Sequence, residues 1–299
     1  MKIDYIVLHW NRPYFAEINV KLAKLYFPFI RNFILLDDGS EPNCIEILKK
    51  EFTEVITSKN NKNEWKNGSV GYLLENFFTQ SDADFIIFTE DDFLPCLNYF
   101  DDSETENTLI SPDVLFKQCV VAENLETHIH NIGSPFFYLN LGKSNYGWKS
   151  LVAYEYNDNF LRVIPHKEKR IYSNWPWIMG KNVFKKAMKN LKDAPIWQIE
   201  NIIDGNMKKI SRVKPLCVKQ KMFIHAGFIC TTRKDAFSQI GKFNKNRLTS
   251  ASNFTGESQT SLDALRSEYL SKYFSGKRIS MEDLFTKGLH HALKNFITS

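Results

Sequence analysis

The stretch Asp84-Phe-Ile-Ile-Phe-Thr-Glu-Asp-Asp92 decides the fold class of this chain. Its apolar centre is a short continuous run, which is typical of a strand covered on both faces. Three acids, Glu90, Asp91 and Asp92, follow that run directly. Carboxylates are costly to place there unless they bind a cation or cap a turn, and such hard oxygen ligands suit Mg²⁺ or Mn²⁺. The alternative is a solvated acidic turn.

Upstream of this stretch, a strand-like apolar run followed by an amphipathic helical pattern occurs repeatedly. Strand-like runs cover residues 5–8, 32–36 and 55–57, and helical patterns begin near Pro13, Asn43 and Ser69. This alternation predicts a mostly parallel α/β sheet, in which the ligand crevice lies beyond the carboxyl ends of the strands. Asp37 and Asp38 end the second strand, so both acidic clusters are predicted at that edge.

The second half of the chain is less regular. Asn182 is predicted to cap the start of a helix. Another helix is predicted from Ile196 to Asp204, with Gly205 ending it. Two strand-like runs, near residues 216–218 and 222–225, are predicted to return to the sheet.

The composition excludes several classes of protein. The 299 residues are 43% apolar and 24% charged, and no apolar run approaches the roughly 18 residues of a membrane-spanning helix. The net charge of +5 is far below the footprint of a nucleic-acid-binding protein, so no nucleic-acid partner is expected. Five cysteines without a CxxC pair, and a first strand too short for a signal-peptide core, favour a cytoplasmic protein without a disulfide framework.

Four short motifs together resemble the nucleotide-sugar-binding half of a GT-A-fold glycosyltransferase, closest to the inverting family-2-like group. In chain order they are His9-Trp-Asn-Arg-Pro13, Asp37-Asp-Gly-Ser40, Asn67-Gly-Ser69 and Glu90-Asp-Asp92. The resemblance covers about residues 3–97, a third of the chain. It implies a Rossmann-like, mostly parallel central sheet flanked by helices, here with a C-terminal helical extension.

The resemblance also implies roles for the residues of these motifs. Trp10 and Arg12 would border the nucleotide, and either Asp37 or Asp38 would contact its base or ribose. Asn67 and Gly68 would line the uracil and phosphate side. The triplet Glu90-Asp91-Asp92 would be the DXD element, contacting the nucleotide sugar and a Mn²⁺ or Mg²⁺ cofactor, with Asp92 as the direct metal ligand and Glu90 beside it.

Residues of the second half resemble the family more loosely, and each carries an alternative. Glu200 and Asp204 stand where the family has an acidic pair with the catalytic base, but Asn201 replaces the second acid; the alternative is a surface pair on an amphipathic helix. His225 would complete the metal–diphosphate site, or be structural. Trp175 and Trp177 would form an acceptor-binding wall, or belong to the core.

The implied function is transfer of a sugar from a nucleotide-diphosphate sugar, with a UDP-sugar favoured, to a hydroxyl of a glycan or glycolipid. The setting would be bacterial surface-glycan biosynthesis, and the configuration at the sugar would invert. One alternative is a retaining transferase on the same fold, which needs no carboxylate base. The other is a non-catalytic GT-A-like domain that binds a glycan or nucleotide as an adaptor.

The predicted organisation has three parts. Residues 1–243 form the catalytic domain, with a nucleotide-binding half to residue 97 and an acceptor-side half from residue 98. Residues 244–261 are a linker, and residues 262–299 form the helical extension. The apolar side of the last helix either packs on the core or on a second copy of the chain, giving a homodimer, or makes peripheral contact with an anionic membrane on its inner face.

Overall fold

The computed structural model describes the chain in ten stretches. They are residues 1–10, 12–40, 42–58, 69–95, 125–141, 153–158, 160–163, 171–172, 176–218 and 222–225. All of these residues except His225 belong to one unit, which takes in residues 1–103 and 113–224. The predicted linker and C-terminal helical extension lie outside the described residues, as do Asn67, Gly68 and Trp175.

The described residues contain eleven strands and six helices. The strands are β1 Ile3–His9, β2 Asn32–Asp37, β3 Glu54–Thr57, β4 Phe85–Glu90, β5 Phe93–Pro95, β6 Phe137–Asn140, β7 Ala153–Glu155, β8 Phe160–Val163, β9 Trp177–Gly180, β10 Lys214–Val218 and β11 Phe223–His225. The helices are α1 Pro13–Tyr26, α2 Pro42–Leu48, α3 Ser69–Gln80, α4 Leu125–Ile132, α5 Lys181–Ala187 and α6 Ile196–Lys208. Among the described residues, no helix combines the length and apolar character needed to cross a membrane.

Nine of these strands form one sheet, in the order β3-β2-β1-β4-β9-β6-β10-β8-β7. Strands β1 to β4 are parallel neighbours, while β9 runs against both β4 and β6. Strand β10 is parallel to β6, and β8 is antiparallel to β10 and β7. Only β9 and β8 therefore oppose the common direction within the described sheet. The predicted α/β class with a mostly parallel sheet is confirmed.

Strand β1 is an interior strand of the sheet, between β2 and β4, and is buried on both faces. Tyr5 and Val7 belong to a core shared with α1, whereas Ile6 belongs to a second core built with α3, α5 and α6. Each fully buried aliphatic side chain contributes about 1.5–3 kcal/mol relative to an exposed one. Two-sided burial explains why the strand is a continuous apolar run and not an alternating one.

A close approach fixes helix α3 against the chain between α5 and α6. A Cβ on Gly71 would lie 1.9 Å from the carbonyl oxygen of Leu191, so only glycine fits there. One turn on, the Glu75 carboxylate accepts hydrogen bonds from the backbone N–H groups of Leu191 and Lys192, at 2.8 and 2.9 Å. The same contact positions α6, because α6 follows that loop directly.

Three local predictions are wrong. Helix α5 begins at Lys181 with Gly180 as its N-cap, so Asn182 lies inside the helix. Helix α6 continues through Gly205 to Lys208, since Gly205 faces open space and its cost of about 1 kcal/mol is outweighed by burial of neighbouring apolar residues. Strand β11 pairs with β5 in a separate two-stranded sheet and does not return to the main one.

Candidate active site

The topology brings the ends of β1, β2 and β4 together. His9 pairs with Asp37 in the β1–β2 register, and Leu8 pairs with Glu90 in the β1–β4 register. Beyond the ladders, the Asp38 N–H donates to the His9 carbonyl at 2.9 Å, and the Asp91 N–H donates to the Leu8 carbonyl at 3.0 Å. The two acidic clusters therefore lie at one edge of the sheet, as the sequence predicts.

Asp91 is the centre of this edge and is fully buried. Its Oδ2 lies 3.0 Å from His9 Nδ1 and accepts from Arg12 Nε at 3.1 Å, while its Oδ1 contacts Arg12 Nη2. The Trp10 backbone N–H is 3.5 Å from the same Oδ2. These contacts tie Asp91 to three residues of the β1–α1 segment.

His9 also belongs to the site, because it contacts Asp91. The sequence motifs did not indicate this contact. The residue is 1% exposed, with Nδ1 on Asp91. Its Nε2 is buried without a hydrogen-bond partner among the described residues. A polar residue that ends an otherwise apolar strand is the signal in the sequence that could have indicated this contact.

Arg12 joins the acidic pair into one charged cluster. Besides its contacts with Asp91, its Nη1 donates to Asp92 Oδ2 at 2.6 Å. Burial disfavours the charged guanidinium, but Asp91, Asp92 and Glu90 outweigh that effect and raise the pKa of Arg12. Arg12 is therefore a permanent cation at the position where the resemblance places nucleotide and metal.

Glu90 is the third acid beside Arg12. Burial, then the neighbouring charge of Asp92, raises the pKa of Glu90 to about 8, with Arg12 acting in the opposite direction. Glu200, from α6, also contributes to this rise. Glu200 is therefore close enough to Glu90 for their charges to interact, although 110 residues separate them in sequence.

Asn19 holds the turn that carries the acidic triplet. This contact was not predicted from the sequence. This fully buried residue of α1 donates through Nδ2 to the Phe93 carbonyl at 2.6 Å and to the Glu90 carbonyl at 3.3 Å. Its Oδ1 accepts from the Tyr5 hydroxyl at 2.8 Å. The signal is an amide on the apolar side of a helix, which must be hydrogen-bonded when buried.

The two aspartates after β2 differ in what they contact. The Asp37 carboxylate accepts from the backbone N–H groups of Gly39 and Ser40, at 3.2 and 3.0 Å, and from the Ser40 hydroxyl. Gly39 has a φ of 76°, which this turn requires and glycine supplies. Asp37 thus closes its own turn, whereas the backbone of Asp38 joins the end of β1 through its N–H.

The two acids of α6 also differ, and the prediction of a shared solvated face is wrong for Asp204. Asp204 is 5% exposed and accepts from the N–H groups of Ile171 and Tyr172, at 2.7 and 3.0 Å. Its Oδ2 pairs with Lys208 Nζ at 2.6 Å. These contacts make Asp204 an anchor for residues 171–172. Glu200 is half-buried, in contrast to Asp204.

Trp177 is a core residue, so its assignment to an acceptor-binding wall is wrong. Its ring is fully buried and stacks on Phe88, with centroids 4.9 Å apart. Its Nε1 donates to the Tyr172 hydroxyl at 3.2 Å. For His225 the structure gives only the backbone, at the end of β11.

The carboxylates present fit the divalent cation that the resemblance implies, provided that substrate supplies further ligands. No group of three or more His, Cys, Asp or Glu side chains in the described part of the chain could hold a metal ion. Mg²⁺ in enzymes is commonly held by one or two carboxylates together with substrate phosphates and water, and Mn²⁺ shares its preference for oxygen ligands. The Asp92 carboxylate could provide such an oxygen ligand, and Arg12 donates a hydrogen bond to one of its two oxygens.

Comparison with known proteins finds distant structural similarity only. Neither a family model nor a curated protein matches the sequence. S. aureus TarS residues 1–349 align with 95% of this chain and 77% of that one, at 15% identity and a TM-score of 0.45. Glucosyl-3-phosphoglycerate synthase from Mycobacterium tuberculosis, in complex with Mn²⁺, UDP and glucosyl-3-phosphoglycerate, aligns with 83% of this chain and 79% of that one, at 9% identity and a TM-score of 0.43.

A longer S. aureus TarS structure also aligns with 95% of this chain, at 16% identity and a TM-score of 0.43. The chain spans only 46% of that protein. Similarities at this distance assign neither a family nor an activity.

Proposed function

We propose that this chain is a nucleotide-sugar-dependent, inverting glycosyltransferase. The observation that carries the proposal is one crevice edge that holds Asp38, Arg12 and the acidic triplet. The charge of Glu200, on helix α6, also helps to raise the pKa of Glu90. Clusters of charged groups with perturbed pKa values at the carboxyl edge of a parallel sheet are typical of active sites.

In this proposal the donor is a nucleotide-diphosphate sugar, with UDP as the favoured nucleotide. Asp38 accepts a hydrogen bond from the base or ribose, and Trp10 borders the nucleotide. Arg12 binds the diphosphate, because a guanidinium pairs with phosphate as readily as with carboxylate. Asn67 and Gly68 line the uracil and phosphate side. Asp92 holds Mn²⁺ or Mg²⁺, with Glu90 beside it and His225 completing the site.

The chemistry requires a base for the acceptor hydroxyl. Glu200 accepts the hydroxyl proton as the acceptor oxygen attacks the anomeric carbon. The bond from that carbon to the diphosphate oxygen breaks, the diphosphate leaves with the electron pair, and the configuration inverts. A bound divalent cation supplies Lewis-acid stabilisation of the leaving diphosphate. Asp204 is not the base, since its carboxylate is engaged with the backbone of residues 171–172.

The acceptor is proposed to be a glycan or glycolipid of a bacterial surface polysaccharide, modified at the cytoplasmic side. Residues 1–243 are the proposed catalytic domain. The helical extension after residue 261 would pack on it, on a second copy, or on a membrane surface.

The experiment is a screen of nucleotide sugars by thermal shift, with and without Mn²⁺, because a ligand that binds the folded state raises its stability by mass action. The donor that gives the largest shift is then incubated with candidate acceptors, and the anomeric configuration of the product is determined by NMR. An inverted product with Mn²⁺-dependent turnover supports the proposal. Retention of configuration would replace it by the retaining alternative, and nucleotide-sugar binding without any turnover by the adaptor.

A further inference from the structure

Arg12 contacts the carboxylate that the proposed function assigns to a divalent cation. Its Nη1 is 2.6 Å from Asp92 Oδ2, and its Nε and Nη2 contact the two oxygens of Asp91. A divalent cation at Asp92 would share an oxygen with a guanidinium or lie directly beside it. Like charges at such distances repel each other strongly in a partly buried site.

The Arg12 side chain is able to change partners. It is 22% exposed, whereas the side chains of Asp91 and Asp92 are 0% and 9% exposed. Two partners hold Asp91 without Arg12, namely the His9 ring and the Trp10 N–H. If the guanidinium moves toward another anion, Asp91 therefore keeps these two contacts.

We propose that Arg12 makes cation binding at Asp92 conditional on a nucleoside diphosphate. In the free protein, Arg12 neutralises Asp92 and keeps its affinity for a divalent cation low. A diphosphate offers the guanidinium a second planar pairing with phosphate oxygens, which releases Asp92 to the cation. By linkage, the cation strengthens diphosphate binding by the same factor. The choice of diphosphate as ligand rests on the proposed function.

The charges at the site support a cation site that depends on the diphosphate. Arg12 faces both Asp91 and Asp92, so two carboxylates share one guanidinium. The second carboxylate attracts a further cation, but in the free protein Asp92 is already paired with Arg12. A diphosphate that moves Arg12 away from Asp92 removes that obstacle.

The test is calorimetric titration of the full chain with MnCl₂, with and without saturating UDP. Arg12→Gln removes the charge at similar length. Arg31→Gln is the matched control, because Arg31 also bridges two aspartates, Asp4 and Asp82, but at the opposite end of the sheet. Without UDP, Arg12→Gln should bind Mn²⁺ at least about tenfold more tightly than the wild type, the effect of removing one adjacent charge.

The UDP-dependence of Mn²⁺ affinity gives the second readout. After correction for Mn²⁺ binding to UDP in buffer, UDP should strengthen Mn²⁺ binding to the wild type and to Arg31→Gln by about tenfold or more. The enhancement should be much smaller in Arg12→Gln. If that variant does not fold, Arg12→Lys takes its place. Because its single ammonium pairs less well with the carboxylates, this variant should also bind Mn²⁺ more tightly than the wild type and show a smaller enhancement by UDP, with both effects weaker than in Arg12→Gln.

Two results would overturn the inference. One is an Mn²⁺ affinity of folded Arg12→Gln, or of Arg12→Lys in its place, that equals or falls below the wild-type value. The other is no Mn²⁺ binding to any of these proteins, with or without UDP. The proposed transferase fails separately: absence of sugar transfer, combined with tighter Mn²⁺ binding by Arg12→Gln, would remove the enzyme and leave the coupling between UDP and cation.

Discussion

Two arginine–aspartate clusters lie at opposite ends of the same sheet, and they differ in burial and in charge balance. At the amino end, Arg31 pairs with Asp4 and with Asp82, each at 2.7 Å, and Lys2 pairs with Asp82 at 2.6 Å. Two cations meet two anions there. Much of the cluster is open to solvent, since the Asp82 side chain is 59% exposed.

At the carboxyl end the balance is different. One guanidinium, that of Arg12, faces Asp91 and Asp92, with Glu90 adjacent and Glu200 near it. The pKa values respond in opposite directions: Arg31 and then Lys2 lower the pKa of Asp82, whereas burial and neighbouring acids raise that of Glu90. A balanced, exposed cluster stabilises the fold modestly, but an unbalanced, buried one indicates a ligand site.

The largest effect is expected at Glu200. Glu200→Gln should lower kcat by roughly 10²–10⁴-fold with donor affinity nearly unchanged, the usual contribution of a positioned base. Steady-state kinetics with the donor found by the screen provides the measurement. Asp204→Asn is the control, because both of its backbone contacts use Oδ1, which asparagine retains, and only the pair with Lys208 is lost. A large loss in that variant but not in Glu200→Gln would reverse the assignment.

Asp92 is the next position. Asp92→Asn should reduce Mn²⁺-dependent turnover by about 10²–10³-fold, since a metal that stabilises transition-state charge contributes several kcal/mol. The fold should survive, because the residue follows strand β4 and lies outside both apolar cores. Asp82→Asn makes the same change in the amino-end cluster and should leave turnover intact. Wild-type activity of Asp92→Asn at limiting Mn²⁺ would contradict the role of Asp92.

Much of this arrangement could be predicted from the sequence, because apolar periodicity and strand ends are local features. The buried runs of β1, β2 and β4 located the crevice edge, and the motifs predicted that Arg12 borders the nucleotide. The pairing of Arg12 with Asp91 and Asp92 was not predicted. Tertiary contacts decide which carboxylate of two neighbouring acids on a helix is bound to other parts of the chain, as Asp204 is bound to residues 171–172. Hence Asp204 could not be told from Glu200 by spacing alone.

The same limit applies to Trp177. A tryptophan pattern fits a sugar-stacking wall or a core equally well, and only strand pairing decided between them, by placing Trp177 opposite Phe88 in the β4–β9 ladder. Asn19 shows the reverse case, in which a polar residue on an apolar helix face becomes interpretable once its two carbonyl partners are known.

A third prediction separates the two aspartates after β2. Asp38→Ala should weaken binding of UDP and of the full donor by roughly 1–3 kcal/mol, measured by calorimetry, if a buried hydrogen bond is lost. Asp37→Ala should instead lower the melting temperature, because it removes the acceptor of the Gly39 and Ser40 N–H groups. Unchanged UDP affinity in Asp38→Ala would place the nucleotide elsewhere.

The smallest effect is expected at the balanced cluster. Arg31→Gln should lower the melting temperature by only about 1–3 °C at pH 7, since the pair with Asp82 is exposed and Asn32 still donates to the buried Asp4 carboxylate. The loss should depend on pH. Arg31, more than Lys2, lowers the pKa of Asp82 in the folded state. A carboxyl with a lowered folded pKa stabilises the fold above its unfolded pKa, about 3.9, and this contribution disappears as pH falls through the folded value.

The melting-temperature gap between the wild type and Arg31→Gln should therefore be constant from pH 7 to about pH 5 and narrow below about pH 4, as Asp82 begins to protonate in the unfolded chain. Scanning calorimetry across this range provides the measurement. Asp82→Asn should show the same narrowing, because it removes the same titrating group. A gap that stays constant down to pH 2, or that widens, would mean that the amino-end cluster does not stabilise the fold through Asp82. The contrast with the carboxyl end would then rest on burial and not on charge balance.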